Sequence, residues 1–483
     1  MTTSSWRTRW RFYPDAENDV GERLPLRAGS VKTITTDELG EYLGIRWFHA
    51  LLFVVCLLLQ VPAFVLLAPS PYVSKDIQEE FGLTEVAASL VSTSIILGSA
   101  LGVIAIGNMA DRFGRRGSSA ACISAILIGV LFQMAIPSGG QLNYWIFKAL
   151  RTLLGIPYGG LTVVVTFYMM EFMPDSIRGL AAASMQLSWS IAAIYTIKIV
   201  QAFESSLGWR ITLTLPTVPA CLLGLLCLCL IPESPRWLLT QGRDDEAQRV
   251  LEGVFSWSAL WGTGYTGEVP KVVLAKDDEH IPSMDEARHV LMEMFTPPLR
   301  KINVIVFFLT NIMEGVGNSL WIWGPEILNR VSGTTAPLDI FMYGEAVWLI
   351  GIVATMLVID TVGRIPLLVI SYVLSGVVFG LLAMVSTVQS AGVLWLLRCV
   401  CDALMWGSLT TYMSEVFPTR IRGTCVGVAV VTARLASVAM PMVAGAMISG
   451  HFRLMISVFV GCFGIGAILC ACIPRETAGK PQR

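Results

Sequence analysis

Charge is what this sequence has least of. Only 14% of its 483 residues are Asp, Glu, Lys or Arg, against about a quarter in soluble chains. The apolar share is 54% and mean hydropathy is +0.66, so most of the chain belongs in lipid. A formal net charge of −1 offers no basic surface, and nucleic acid is not an expected partner. There is no Gly-rich phosphate loop with lysine, and His49, His280, His289 and His451 are scattered. Enzyme activity, a cofactor, a metal site and nucleotide-driven transport are therefore not expected. The first 45 residues have no apolar core followed by a small-residue cleavage site, so a cleavable secretory signal is not expected. No Asn-x-Ser/Thr sequon occurs, which fits very short external loops. The 11 cysteines all fall in or beside apolar runs, which argues against a disulfide framework and for small apolar packing groups.

Long apolar runs are what the chain has instead. Crossing the hydrocarbon takes about 20 mostly apolar residues. Twelve runs qualify: 46–68, 86–109, 117–137, 142–169, 180–203, 209–231, 302–328, 337–359, 365–387, 391–414, 423–448 and 452–473. The charged gap at 232–301 splits them into six and six. The predicted organisation is a leading segment 1–45, a first half 46–231, a linker 232–301, a second half 302–473 and a tail 474–483. Arginine and lysine gather in the leading segment, in the loops after runs 2, 4 and 10, and in the tail; the opposite loops hold Lys75, Arg330 and little else. The positive-inside rule then makes both termini and the linker cytoplasmic. Within the linker, Ser234-Pro235 reads as a helix start, and Ala247, Val250, Leu251 and Val254 share one helical face. The stretch Gly262–Asp278 shows no helical pattern and is expected to be mobile.

Three signals recur between the halves. Asp111-Arg-Phe-Gly-Arg115 returns as Asp360-Thr-Val-Gly-Arg364. The frame Glu-x-x-Pro-x-x-x-Arg-Gly occurs at Glu171–Gly179 and at Glu415–Gly423. Pro232-Glu-Ser234 returns as Pro474-Arg-Glu-Thr477. Their offsets of 249, 244 and 242 residues point to tandem six-helix units. Gly107–Arg116, Pro232–Leu239 and Pro474–Gly479 resemble the loop and tail signatures of the major facilitator superfamily, in its sugar-porter and organic-ion branches. The likeness spans about 40–480. The short link after run 1 and Trp321–Leu328 are similar to the synaptic-vesicle-two-related branch. The seventh run, Leu309–Asn318, departs from the sugar porters' Gln-Gln-x-x-Gly-x-Asn box, and Gln60-Val-Pro62 stands where that branch often has acids. The resemblance implies an all-α membrane protein of twelve transmembrane helices in two six-helix pseudo-repeats that works by alternating access.

A seal at the cytoplasmic ends needs charges that pair and part. The expected gate is Asp111, Arg115, Glu171 and Arg178 in one half, facing Asp360, Arg364, Glu415 and Arg422 in the other. Topology and solubility alone would account for the arginines, but not for the acids.

Ionisable groups at membrane depth face a cavity or a partner. Arg434 falls near the midplane of run 11, in a context that resembles organic anion transporters. It reads either as a contact for a substrate carboxylate or as a buried partner of Asp402, Glu314 or Glu345. Arg398 and Asp402 are four apart and positioned to pair. Glu314, Glu345, Asp402 and Arg151 are candidates for proton coupling, Arg151 also for packing; Lys198 reads as snorkelling. Gln60, Gln186, Trp189, Asn311, Glu314, Asn318, Trp406 and Arg434 are candidate substrate contacts, with Trp348 beside them. Trp321 and Trp323 read as aromatic-belt anchors.

The expected function is gradient-driven symport of a small organic solute with protons, leaning to an organic anion. An organic cation and a sugar stay open, as does a receptor that kept the fold and lost transport. The chain is expected to be a monomer in the lipid bilayer, in the plasma membrane ahead of an intracellular one.

Overall fold

The computed structural model describes residues 33–35, 47–174, 181, 184–260, 271–273, 292–297, 299–417, 419–474, 476 and 477, with backbone alone at 33–35, 204–207, 257–260, 419, 420, 422 and 423. The first half comprises α1 (Trp47–Leu67), α2 (Ser74–Phe81), α3 (Glu85–Phe113), α4 (Arg115–Met134), α5 (Gln141–Met170), α6 (Leu187–Thr214) and α7 (Thr217–Leu228). The linker contributes α8 (Pro235–Thr240) and α9 (Asp244–Leu260). The second half comprises α10 (Leu299–Ser332), α11 (Leu338–Val362), α12 (Arg364–Leu382), α13 (Val388–Val416), α14 (Thr419–Ile448) and α15 (Phe452–Ala471). Among the described residues, 11 helices are long and apolar enough to cross a membrane, and the shorter Leu187–Phe203 stands at the fifth run. Helix α6 carries a kink at Gly208 (φ 72°), where the fifth span hands over to the sixth.

The halves repeat in packing as well as in sequence. In the first, α3 and α4 lie against α5, and α4 against α7; in the second, α11 and α12 lie against α13, and α12 against α15. Each half has its own apolar core, one drawn from α1 to α9 and the other from α10 to α15 with Ile197. The halves meet where α3 packs on α14 and α6 on α11. Glycines set the closest approach: a Cβ at Gly98 or Gly102 would strike the backbone of Thr152 or Ile156, and one at Gly155 or Gly159 that of Ile95 or Ser99. These are two small-xxx-small pairs, one on α3 and one on α5.

The linker helices form as their sequence predicts. Ser234 Oγ accepts the Trp237 N–H at 3.2 Å, capping α8 behind Pro235. Ala247, Leu251 and Val254 bury one face of α9. The expectation of a mobile 262–278 is corrected in part. Lys271–Val273 form strand β2, paired in parallel with strand β1, Thr33–Thr35. Val272 is buried in the first-half core. A hydrogen-bonded partner 238 residues earlier in the chain holds this strand.

Contacts between the halves run from mid-depth to the end far from the linker. Trp189 meets Trp321 edge to face, ring centroids 5.4 Å apart. Tyr72 meets Phe341 at 6.0 Å. Lys75 bonds Glu326 at 2.8 Å, Arg330 lies 3.8 Å from Glu85, and Gln201 donates to Asp339 at 2.9 Å. Trp321 and Trp323 are therefore not belt anchors. Trp321 packs against both cores, and buried Trp323 donates its indole N–H to the Pro441 carbonyl at 2.9 Å. Their depth along α10 resembles that of a belt, but their face of the helix is turned inward.

Candidate functional site

At the linker end the three repeated motifs assemble into one cluster per half. Gly114 (φ 89°) and Gly363 (φ 99°) turn the chain sharply into α4 and α12, a conformation that suits glycine. The residue after each turn is an arginine. Arg115 Nε donates to Glu171 at 3.1 Å, and its Nη1 reaches Asp111 at 2.8 Å and the Ala110 carbonyl at 2.8 Å. Arg364 bonds Glu415 at 2.9 and 2.7 Å, and its Nη2 lies 2.8 Å from Asp360. The third motif supplies a carboxylate to each helix start. Glu233 Oε1 accepts the backbone N–H of Arg115 at 2.9 Å, and Glu476 accepts those of Arg364 and Ile365 at 3.1 and 2.9 Å. Unpaired first-turn amides and the helix dipole favour an anion there. Asp111 and Asp360 are exposed, so their pairs contribute little. Burial pushes the Glu171 carboxyl up, against the pull of Arg115.

The expectation that these charges pair across the halves is corrected in this conformation. Arg115 and Arg364 each bond acids of their own half. Among the described residues, the ion pairs between the halves lie at the other end of the molecule. Arg178 and the Arg422 side chain lie outside the described residues. Glu233 and Glu476 were missed as members; the recurrence of their motif at the same offset was the available signal.

Between the halves lies a polar cluster at mid-depth. It is built on α10, where Asn311, Glu314 and Asn318 recur at helical spacing, and on the facing stretch of α14. Arg434 Nη1 lies 3.3 Å from Glu314 Oε2. The same oxygen accepts from Ser437 Oγ at 3.1 Å and Asn318 Nδ2 at 3.1 Å. Asn318 also donates to Ser437 at 3.0 Å, and Asn311 donates to Thr432 at 3.3 Å. Arg434 keeps 22% of its side chain accessible, and its Nε has no partner among the described residues. Tyr158 of α5 reaches toward this pair from the first half. Of the three acids considered for Arg434, the structure selects Glu314. Tyr158, Thr432 and Ser437 were not singled out as contacts, because a hydroxyl on an apolar helix carries no pattern.

Other candidates fall elsewhere. Gln60 is buried and fully engaged, donating to Thr162 and Thr166 at 3.0 and 2.8 Å and accepting from Ser188 at 2.8 Å. It holds α1 to α5 and α6, so the structure gives it a packing role in place of a substrate contact. Gln186 is half-buried at the start of α6. Trp348 and Trp406 are half-buried against the second core. Trp189 meets Phe64 edge to face at 5.6 Å, as it does Trp321.

Arg151 is 1% exposed and bonds the Val91 carbonyl at 2.9 Å and Ser70 Oγ at 2.6 Å. Both partners are neutral, which fits the packing reading. Arg398 and Asp402 pair at 2.7 Å as their spacing predicts, with Arg398 over the Trp395 ring at 4.3 Å. Glu345 faces that pair and, across the halves, Trp189 and Ser190. Its Oε2 is buried with no partner among the described residues. Lys198 is exposed and donates to Gln201 at 3.0 Å. The described residues hold no group of His, Cys, Asp and Glu that fits a metal ion.

Residues 52–482 match the family described as Sugar (and other) transporter. YwtG of Bacillus subtilis (strain 168), named for metabolite transport, is 30% identical over 372 residues, 73% of this chain and 75% of that protein. The synaptic vesicle 2-related protein of Bos taurus is 24% identical over 431 residues, 83% of this chain and 73% of the relative. The xylose transporter XylE from E. coli, in a partially occluded inward open conformation, superposes with a TM-score of 0.71 at 20% identity, covering 90% of this chain and 100% of the other.

Proposed function

This chain belongs to the Sugar (and other) transporter family, and on that premise we propose that it couples the uptake of a small organic carboxylate to protons. It is an integral, multi-pass membrane protein of the major facilitator fold that carries a small-molecule metabolite. The observation that carries the finer reading is the Glu314–Arg434 pair, in which 22% of the arginine side chain stays accessible and its buried Nε has no partner among the described residues.

The coupling follows from charge. With Glu314 ionised, Arg434 is neutralised by an internal carboxylate. A proton arriving on Glu314 removes that counter-charge and leaves a buried arginine whose natural partner is another carboxylate, held by two parallel N–H donors. Proton and organic anion then load together as a neutral set, which lowers the cost of moving them at membrane depth. Ser437 and Asn318 both bond the carboxyl of Glu314 and are placed to re-form around its protonated state. Glu345, beside Trp189 and the Arg398–Asp402 pair, is a second group available to carry a proton.

Alternating access supplies the movement. With the linker end cytoplasmic, the far-end contacts between the halves make this an inward-facing state. The two linker-end clusters stand ready to meet when that side closes. A sugar is the second reading. The family description favours it, and so do the amides of Asn311 and Asn318 in the mid-depth cluster. A cation is less favoured, because Glu314 already has three donors. Uptake of labelled carboxylates, sugars and amines by wild type and Arg434→Ala separates these. Carboxylate uptake lost in Arg434→Ala supports the reading, and undiminished carboxylate affinity overturns it.

A further inference from the structure

At the linker end, on the outer flank of the first half, α4, α7, α8 and α9 enclose a cleft of about 690 Å³. Arg116, Arg243 and Arg249 line it together with Glu233 and Glu246. The acids are already engaged. Glu233 holds the backbone amides of α4, and Glu246 holds Arg243 at 2.8 and 2.6 Å. Arg116 and Arg249 are exposed and form no ion pair among the described residues. The cleft therefore presents two guanidinium groups that are without an ion-pair partner among the described residues.

Its floor is apolar, with Leu225 and Leu228 of α7. Beside it the surface stays apolar: Phe113 is 69% exposed and Leu226 67%, and Leu222 lies one turn from Leu226 on the same face of α7. Two guanidinium groups above an apolar stripe suit a ligand with an anionic phosphate and a hydrocarbon tail. A membrane surface supplies such a molecule at high local concentration. In the cytoplasmic leaflet acidic lipids gather at basic pockets between spans; the choice of leaflet rests on the orientation proposed above, whereas the binding chemistry does not.

We propose that this cleft binds an acidic glycerophospholipid, its phosphate between Arg116 and Arg249 and an acyl chain along Leu222 and Leu226. A bound lipid would tie α9 to α7 and to the start of α4, where Arg115 of the first-half charge cluster sits.

The test uses the full chain purified in detergent, with native mass spectrometry as the readout of bound lipid. The probes are dioleoyl phosphatidylglycerol, dioleoyl phosphatidylcholine and glycerol 3-phosphate. Wild type is expected to retain phosphatidylglycerol in preference to the other two. The Arg116→Gln/Arg249→Gln double variant is expected to bind it about ten-fold more weakly, each single variant showing part of that loss. The Arg116→Lys/Arg249→Lys variant, which keeps both charges, is expected to retain most of the binding and shows that substitution leaves the fold intact. Equal retention of phosphatidylglycerol by the Gln and wild-type proteins overturns the proposal. So does equal binding of phosphatidylcholine, or of glycerol 3-phosphate, which would make this a site for free phosphate esters. None of these outcomes bears on Arg434.

Discussion

The carboxylate of Glu233 accepts the backbone N–H of Arg115 at 2.9 Å. Glu476 holds Arg364 in the same way at 3.1 Å. Each acid closes a cluster in which an arginine at a helix start is gripped by a second acid, Glu171 or Glu415. The duplicated motifs are thus one structural device made twice. The arginines must change partners, or gain them, if the halves close at this end.

Glu171→Gln and Glu415→Gln keep size and lose charge. A charge-assisted hydrogen bond contributes about 1.5–3 kcal/mol, so each variant is expected to lower transport about ten-fold with folded protein unchanged. Uptake per unit of monodisperse protein checks this, and wild-type uptake in both variants ends the gate assignment.

The far end has a cluster that reports on stability. Glu80 accepts from Arg210 at 2.8 and 2.7 Å and from the Trp209 indole at 2.6 Å. The Arg210 guanidinium holds the Glu80 carboxyl down, to about 2. A depressed folded value contributes stability that is present above the ordinary carboxylate value near 4.3 and is lost as pH falls toward 2. Glu80→Gln is expected to destabilise by roughly 2 kcal/mol at pH 7. The gap between the variant and wild-type melting temperatures is expected to narrow between about pH 4.5 and pH 2. A gap constant over that window contradicts the assignment.

The glycine seam between α3 and α5 predicts a second stability effect. A side chain at Gly155 meets the Ile95 backbone, which has no rotamer to yield. Gly155→Leu is expected to cost about 3 kcal/mol or more and to reduce folded yield sharply. Gly427 on α14 has nothing within 4 Å of an added Cβ, so Gly427→Ala is expected to be neutral. Size-exclusion profiles of the two variants check the contrast.

Much of this architecture was legible in the sequence, because hydrophobic length is a local property. The run 46–68 became Trp47–Leu67 and the run 391–414 became Val388–Val416. The cap at Ser234 and the pair Arg398–Asp402 were readable for the same reason. Partner choice was not. Depth placed Arg434 level with several acids, but only the rotation of α10 and α14 about their axes selects Glu314. Short elements also escaped: α2 is eight residues long, and β2 needs a strand from the leading segment to exist. Gln60 read as a cavity amide because its three partners lie on other helices.

The central claim is that Arg434 and Glu314 load an organic anion and a proton together, and flux in proteoliposomes tests it most directly. Wild type, Arg434→Ala and Glu314→Gln are reconstituted, and entry of labelled carboxylates, sugars and amines is followed with and without an imposed proton gradient. The account predicts that wild type accumulates a carboxylate only with the gradient. It also predicts that Arg434→Ala carries none, and that Glu314→Gln binds the solute but no longer responds to the gradient. Wild-type protein that moves no solute under any gradient would contradict transport itself, and gradient-driven carboxylate entry through Arg434→Ala would contradict the site.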